Sequence, residues 1–298
     1  MMPGYKLKIL VIDKDANRIK ENIEVETPEL LKHYNITFLN EEIKTKNATQ
    51  IIKERKDINY ILVAMDNDNK NIETAILLRR LFLRELNREP IINLYIENEY
   101  KQKQILELSN EKGNSYNLNT FGSINNLYQT NNIMDSELEK IAIQIHLSYD
   151  PEDKNLQRYN LREYNKRSSR ASALHIKYKL YSILEDKYTN NMRNNLKLFR
   201  EIYSKKIEEI LSRNEHDRWN AYMRSIGYVY VSTEEVAKYY EKNKHYINYL
   251  AKMHPALVDY DELDKISKEL SKITSKKIDL KESDIDIIQN IYKKIDLK

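Results

Sequence analysis

Cysteine is missing from all 298 residues, which excludes disulfides, thiolate zinc sites and cysteine nucleophiles together. Glycine is scarce: Gly4, Gly113, Gly122 and Gly227 are the whole supply, and no two stand close enough for a G-x-G-x-x-G or Walker loop. Phosphate cradles built on glycine backbone are thereby excluded. No apolar run approaches the length of a membrane span, and Lys6 and Lys8 interrupt the apolar residues near the start where a signal peptide would need an unbroken core. Charge of one sign is lacking too: 50 basic residues stand against 46 acidic ones, mixed along the chain, which reads as a solvated surface and not as a nucleic-acid footprint. A cytoplasmic globular chain, long enough for two cores, is expected.

Short apolar strands alternate with helices through the first half. Leu7 to Asp13, Asn35 to Leu39, Tyr60 to Ala64 and Ile91 to Ile96 read as strands, with helices from Ala16, over Ala48 to Lys56 and over Ile72 to Leu86. That order implies a parallel sheet with right-handed crossovers. Asp66, Asp68 and Asn71 lack the central glycine and distal glutamate of a calcium loop, so a turn and helix N-cap is expected there. The phrases VIDKDA (Val11 to Ala16), VAMDNDNKN (Val63 to Asn71), TFGS (Thr120 to Ser123) and LEKIAIQIHLSY (Leu138 to Tyr149) resemble the TrkA-type nucleotide-binding domain of bacterial potassium-uptake regulators. In that family a glycine-rich strand-turn-helix unit precedes the strand that ends here at Asp13; no counterpart precedes it in this sequence, so either the natural chain lacks the unit or the sequence begins late. The resemblance therefore implies a trimmed Rossmann-like domain without the usual pyrophosphate site, and neither NAD nor any other cofactor is expected. Asp13 itself reads as a strand-end acid capping the next turn, or as the acid the family sets on a ribose hydroxyl.

The second half centres on Arg213 to Gly227, RNEHDRWNAYMRSIG, which holds the one tryptophan. Trp219, Tyr222, Met223 and Ile226 fall at helical spacing, Glu215 and Arg218 stand three apart on the neighbouring face, and Gly227 ends the helix before the strand-like Tyr228 to Val231. With MHPALVDYDEL (Met253 to Leu263), this stretch resembles the ryanodine-receptor-type (RyR) repeat domain found also in bacterial proteins. Glu215, His216, Arg218, Trp219, Gly227, Tyr228, His254, Pro255, Leu257, Val258, Tyr260, Leu263 and Asp284 stand at the family's places. The sequence departs from it in having Tyr228 for a second tryptophan, Asp259 for a proline, and a charged helical insert, Glu234 to Met253, for a short loop. The expected organisation is an α/β Rossmann-like domain over residues 1–150, connecting helices over 151–195 and a mainly α-helical RyR-type domain over 196–298. A long helix from Asn195, with Leu196, Phe199, Ile202, Tyr203, Ile207 and Ile210 on one side, is expected to run toward Trp219. Ala171, Leu174, Tyr178 and Tyr181 give the connecting segment a helical stripe.

A lone tryptophan at such spacing is ordinarily core. The RyR resemblance implies instead that Trp219 and Tyr228 are stacking walls for a planar, adenine-type ligand, with Arg218 and Arg224 as anion partners and His216, Glu215, His254 and Tyr260 as polar readers. Arg167 and Arg170, set among Ser168, Ser169 and Ser172, read either as an anion site at a helix start or as an interdomain salt-bridge helix. No nucleophile, base and orienting group occur as a set, and no catalytic or metal-binding residue is expected. The function expected is recognition of a nucleotide-derived small molecule, in second-messenger signalling or antiviral defence by fold analogy, without membrane insertion and with a homo-oligomer admitted. The rivals are a nucleotide-cleaving enzyme using Glu215 and His216, and a scaffold without a small ligand.

Overall fold

A computed structural model describes residues 7–110, 116–123 and 137–293. Helices predominate, and the sheets are small and, where strand direction is defined, parallel. The chain forms two compact units, one of Leu10–Asn17 with Phe38–Ser136, the other of Met1–Ile9, Arg18–Thr37 and Glu137–Lys298.

In the first unit, β3 (Tyr60–Val63), β4 (Ile91–Tyr95) and β5 (Leu118–Phe121) lie side by side in that order, all parallel. Helix α4 (Asp68–Leu81) joins β3 to β4, and α5 (Glu99–Asn110) lies between β4 and β5. Neighbouring strands taken in sequence order place crossovers of one hand on one face of the sheet. The burial agrees: Val63, Ile92, Leu94 and Leu118 pack under Ala75, Leu78 and Phe82, whereas Tyr60, Leu62, Ile91 and Phe121 are exposed. The strands are thus buried on one side only. Strands β1 (Lys8–Asp13) and β2 (Asn35–Asn40) pair with each other as a separate ribbon.

The polar residues after β3 serve structure. Asn67 caps α4 by accepting the N–H groups of Asn69 and Lys70, and Asp68 accepts those of Glu97 and Asn98 beyond β4. Asn71, fully buried, accepts Met65 N–H at 2.7 Å and donates to the Met65 and Tyr95 carbonyls. Asp13 accepts Asp15 N–H at 2.7 Å, the turn-capping role. Buried Arg79 fastens the other end of the sheet by donating to the carbonyls of Pro90, Tyr116 and Asn117.

The second unit is a helical assembly of α6 (Glu137–Tyr149), α8 (Glu163–Leu184), α9 (Met192–Ile202), α10 (Lys205–Ser225) and α13 (Glu282–Lys293), with the short α7 (Gln157–Leu161) before α8. Ala142, Ile145, Ile176, Leu180, Phe199, Leu211, Ile288 and Ile291 form its core. Helix α6, read from sequence as the end of the N-terminal domain, packs here, because its Ala142 and Ile145 face the apolar sides of α8 and α13. The long helix expected from Asn195 is two: Tyr203 is extended, and Ser204 starts α10 by accepting Ile207 N–H. A smaller core of Val231, Val236, Ile266 and Leu270 joins α11 (Thr233–Asn243) to α12 (Leu263–Thr274), so the charged insert is helical only as far as Asn243. No described helix is long and apolar enough to cross a membrane.

Candidate functional site

Helix α10 carries the Trp219 segment, and its end is fixed by Gly227. That residue has φ +90°, and a Cβ there would stand 2.8 Å from the Glu26 carbonyl, so a side chain is excluded by both backbone conformation and space. The turn lets Tyr228 N–H reach the Met223 carbonyl, and β6 (Val229–Tyr230) then runs parallel to β7 (Met253–His254). The HPALV segment is thereby laid against α10.

One side of α10 buries a charge cluster against α8. Glu215, with no exposed surface, takes Arg218 Nη2 and Ser172 Oγ on Oε1 at 2.7 and 2.9 Å. Its Oε2 takes Arg218 Nε at 3.0 Å and Lys179 Nζ at 2.6 Å. Burial alone would raise the Glu215 carboxyl, but the two cations overcome it and hold the group well below the usual carboxylate range. Lys179 lies 3.1 Å from His175 Nδ1, and burial with the Lys179 charge lowers that imidazole to about 3, so it is neutral and accepts from the ammonium. Burial lowers the Lys179 pKa and the Glu215 carboxylate works against that shift, so the Arg218 guanidinium and a buried amine share one carboxylate, and Arg218 Nη1 is left buried without a hydrogen-bond partner among the described residues.

The other side of α10 meets the HPALV segment. His216 faces the Val258 carbonyl with Nε2 at 2.9 Å and Asp284 Oδ2 with Nδ1 at 3.2 Å. With acceptors at both nitrogens the imidazolium is favoured: burial opposes the charge, the Asp284 carboxylate prevails, and the His216 pKa is raised. His254 accepts Ala256 N–H on Nδ1, and burial followed by the His216 charge lowers it to about 3. The Trp219 ring stacks on His216 (centroids 5.7 Å apart, planes at 25°) and meets His254 edge-on at 4.8 Å. Its indole N–H bonds the Tyr164 hydroxyl, and Tyr164 packs against Tyr228 and Tyr249. Tyr260 lies beside His216 with Arg213 and Lys281 over its ring at 4.9 and 4.8 Å.

Trp219, Tyr228, His216, His254 and Tyr260 thus gather around one indole, which is half-buried, and Glu215 with Arg218 adjoins them on the α8 side. Arg224 does not join Arg218: it faces the Leu257 carbonyl, to which Nη2 donates at 3.4 Å. Arg167 and Arg170 part company as well. Exposed Arg167 pairs with Glu163 at 2.7 Å, whereas Arg170 bonds Glu139 at 2.6 Å and ties α8 to α6 within one unit, a bridge between helices and not between domains. Sequence reasoning passed over Lys179, His175 and Tyr164 and set Ser172 with Arg167 and Arg170, whereas its hydroxyl bonds Glu215, since a lysine or serine buried by its partner looks like any surface residue in a sequence.

Near the cluster, Tyr149 bonds Ser169 at 2.8 Å and His146 at 3.2 Å, and His146 meets Asp153 at 2.8 Å. His146, Asp150 and Asp153 have ligand atoms within 4.8 Å of one another, the spacing of a metal site. Their lone pairs are already used. Asp150 takes the Arg158 guanidinium, and Asp153 takes the Arg158 and Tyr159 N–H groups, which with His146 outweigh burial and bring it down to about 2. No family model matches the sequence, and no curated protein or solved structure matches it.

Proposed function

We propose that the chain is a cytosolic binding protein for a nucleotide-derived small molecule and does no chemistry on it. The observation that carries this reading is the juxtaposition on α10 of a half-buried indole with a buried guanidinium that keeps one nitrogen without a partner among the described residues. An aromatic face stacks on any base, and a guanidinium fixed by a carboxylate on two nitrogens presents the third in a set direction. His254 beside the indole is neutral and His216 is engaged at both nitrogens, which suits recognition. The groups a cleaving enzyme would use are committed elsewhere: all the hydrogen bonds of Glu215 go to Ser172, Lys179 and Arg218, and His216 spends both nitrogens on Val258 and Asp284. The RyR-type and TrkA-type resemblances support the same reading and suggest a sensor in second-messenger signalling or antiviral defence. Titrating nucleosides and nucleotides against Trp219 fluorescence, with product analysis of the same mixtures, tests it. A spectral change without turnover is expected, and turnover, or the absence of any response across the four common bases, overturns it.

A further inference from the structure

Where α8 packs on α10, side chains of the two helices come within electrostatic reach of one another. Arg218 Nη1 is a buried donor on a side chain more than nine-tenths buried, and it has no hydrogen-bond partner among the described residues. Tyr222 stands one helical turn further along α10, on the same face, and its buried hydroxyl too has no partner among the described residues. Arg167 on α8 is exposed, bonds Glu163 through Nε, and lies within electrostatic reach of Tyr222, as do Arg218 and Glu163. A buried donor without an acceptor is unfavourable by itself, so two on one face, one of them on a guanidinium, mark a place where an anion would be stabilising.

We propose that Arg218 Nη1, Tyr222 Oη and the Arg167 guanidinium form a phosphate subsite, in which a ligand's phosphate takes Arg167 over from Glu163. The proposal rests on the binding reading above and adds a ligand class to it. Lys179 and Arg218 both stand on the one Glu215 carboxylate, and Arg167 adds its guanidinium once Glu163 releases it. A terminal phosphomonoester, which carries close to two negative charges at neutral pH, suits two guanidinium groups better than an internal diester carrying one. Tyr222 then acts as a neutral donor, and Glu163 as an internal competitor for the anion's place.

The test uses the whole chain with inorganic phosphate as a base-free probe, at constant ionic strength and pH 7.5, read by thermal melting and by phosphorus NMR line width. Wild type is expected to bind phosphate. Tyr222→Phe removes a hydroxyl with no partner among the described residues, so it should fold as wild type does while binding phosphate about tenfold more weakly, the usual loss for a hydrogen bond to a charged group. Arg167→Ala, at an exposed position, should do the same, and Glu163→Gln should bind phosphate more tightly. Phosphate binding that Tyr222→Phe leaves unchanged, or no phosphate binding by wild type, overturns the subsite. Adenosine and AMP are titrated in parallel against Trp219 fluorescence. Adenosine that alters the emission no less tightly than AMP overturns the subsite and leaves the base reading standing. Phosphate binding sensitive to Tyr222, with no response to nucleosides, supports the subsite and overturns the base reading.

Discussion

Lys179 and Glu215 meet at 2.6 Å with both side chains withdrawn from water, one on α8 and the other on α10. The pair orients Arg218, because the carboxylate that Lys179 and Ser172 steady is the one that grips the guanidinium on two sides. Desolvating such charges is costly, and mutual attraction compensates only when the geometry is good and the other lone pairs are filled. Glu215 meets that condition with four bonds. The cluster as a whole meets it less well, since Lys179 and Arg218 both depend on that one carboxylate and burial lowers the Lys179 pKa.

The asymmetry makes the two members respond oppositely to mutation. Glu215→Gln leaves the Arg218 guanidinium and a buried amine without their shared carboxylate and should cost about 3 to 5 kcal/mol of folding stability. Lys179→Met leaves Glu215 and Arg218 as a balanced bidentate pair and fills the space with an apolar chain, so stability within about 1 kcal/mol of the parent is expected. Urea unfolding of both variants checks this. Equal losses would mean that the sharing of one carboxylate is not what limits the cluster.

Acid should weaken the second unit through its buried histidines. His175 and His254 are each lowered to about 3, by burial first and then by the charge of Lys179 or His216 respectively. A group depressed in the folded state binds protons preferentially when unfolded, so its contribution is complete above the unfolded value near 6.5 and is lost as pH falls from there toward 3. His216 works in the opposite sense, its raised value adding stability below 6.5 that fades at higher pH. Two lowered groups against one raised give a net decline on acidification. His254→Asn, whose Oδ1 can accept the Ala256 N–H in place of Nδ1, should flatten the profile between pH 6.5 and 4 by up to about 1.4 kcal/mol per unit. An unchanged slope would show that His254 is already protonated in the fold.

The parts of the fold set by local chemistry were legible: the alternation of strands and helices, the cap before α4, and the stop at Gly227 all follow from residue types at fixed spacings. The parts set by pairing across the chain were not. Leu174, Tyr178 and Tyr181, the apolar stripe that the spacing of α8 singles out, are exposed, and the buried face instead includes Ser169, Ser172 and Lys179. Those polar residues are buried because Tyr149 and Glu215 receive them, and partners that distant leave no mark in helical periodicity. The break at Ser204 was hidden similarly, since the apolar residues on either side keep the helical phase while Tyr203 turns out of it to stack on Tyr292 at 4.0 Å. Most of the residues around Trp219 were legible through the RyR resemblance, and the α8 side of the site was not.

NAD and NADP at millimolar concentration are expected to leave the melting temperature unchanged. A dinucleotide's pyrophosphate normally sits on a glycine-rich turn and a helix N-terminus after a strand, and the described turn after β1 carries Asp13, Lys14 and Asp15, with the Asp13 carboxylate occupying the Asp15 N–H. That turn corresponds to the family's acid position and not to its glycine-rich turn, so it supplies no seat for a pyrophosphate. Binding at a hundred times Kd would add roughly 2.7 kcal/mol, so a clear thermal shift with either dinucleotide would reveal a phosphate site elsewhere in the unit.

Trp219 supports both the fold and the binding reading, and two substitutions separate the roles. Its ring stacks on His216, abuts His254 and hydrogen-bonds Tyr164, so Trp219→Ala should cost about 3 kcal/mol of folding stability at the low end of the range for large aromatic deletions, the side chain being only half-buried. Trp219→Phe keeps a π face but gives up the bond to Tyr164, for a loss of about 1 kcal/mol. On the binding side, the phenylalanine variant should keep part of the affinity for an adenine nucleotide, and the alanine variant should lose on the order of 1 to 3 kcal/mol of it at temperatures where it is still folded. Stability from urea titration and affinity from calorimetry, measured on the same two proteins, decide the matter. Normal affinity in a folded alanine variant would remove Trp219 from the site and leave it as core.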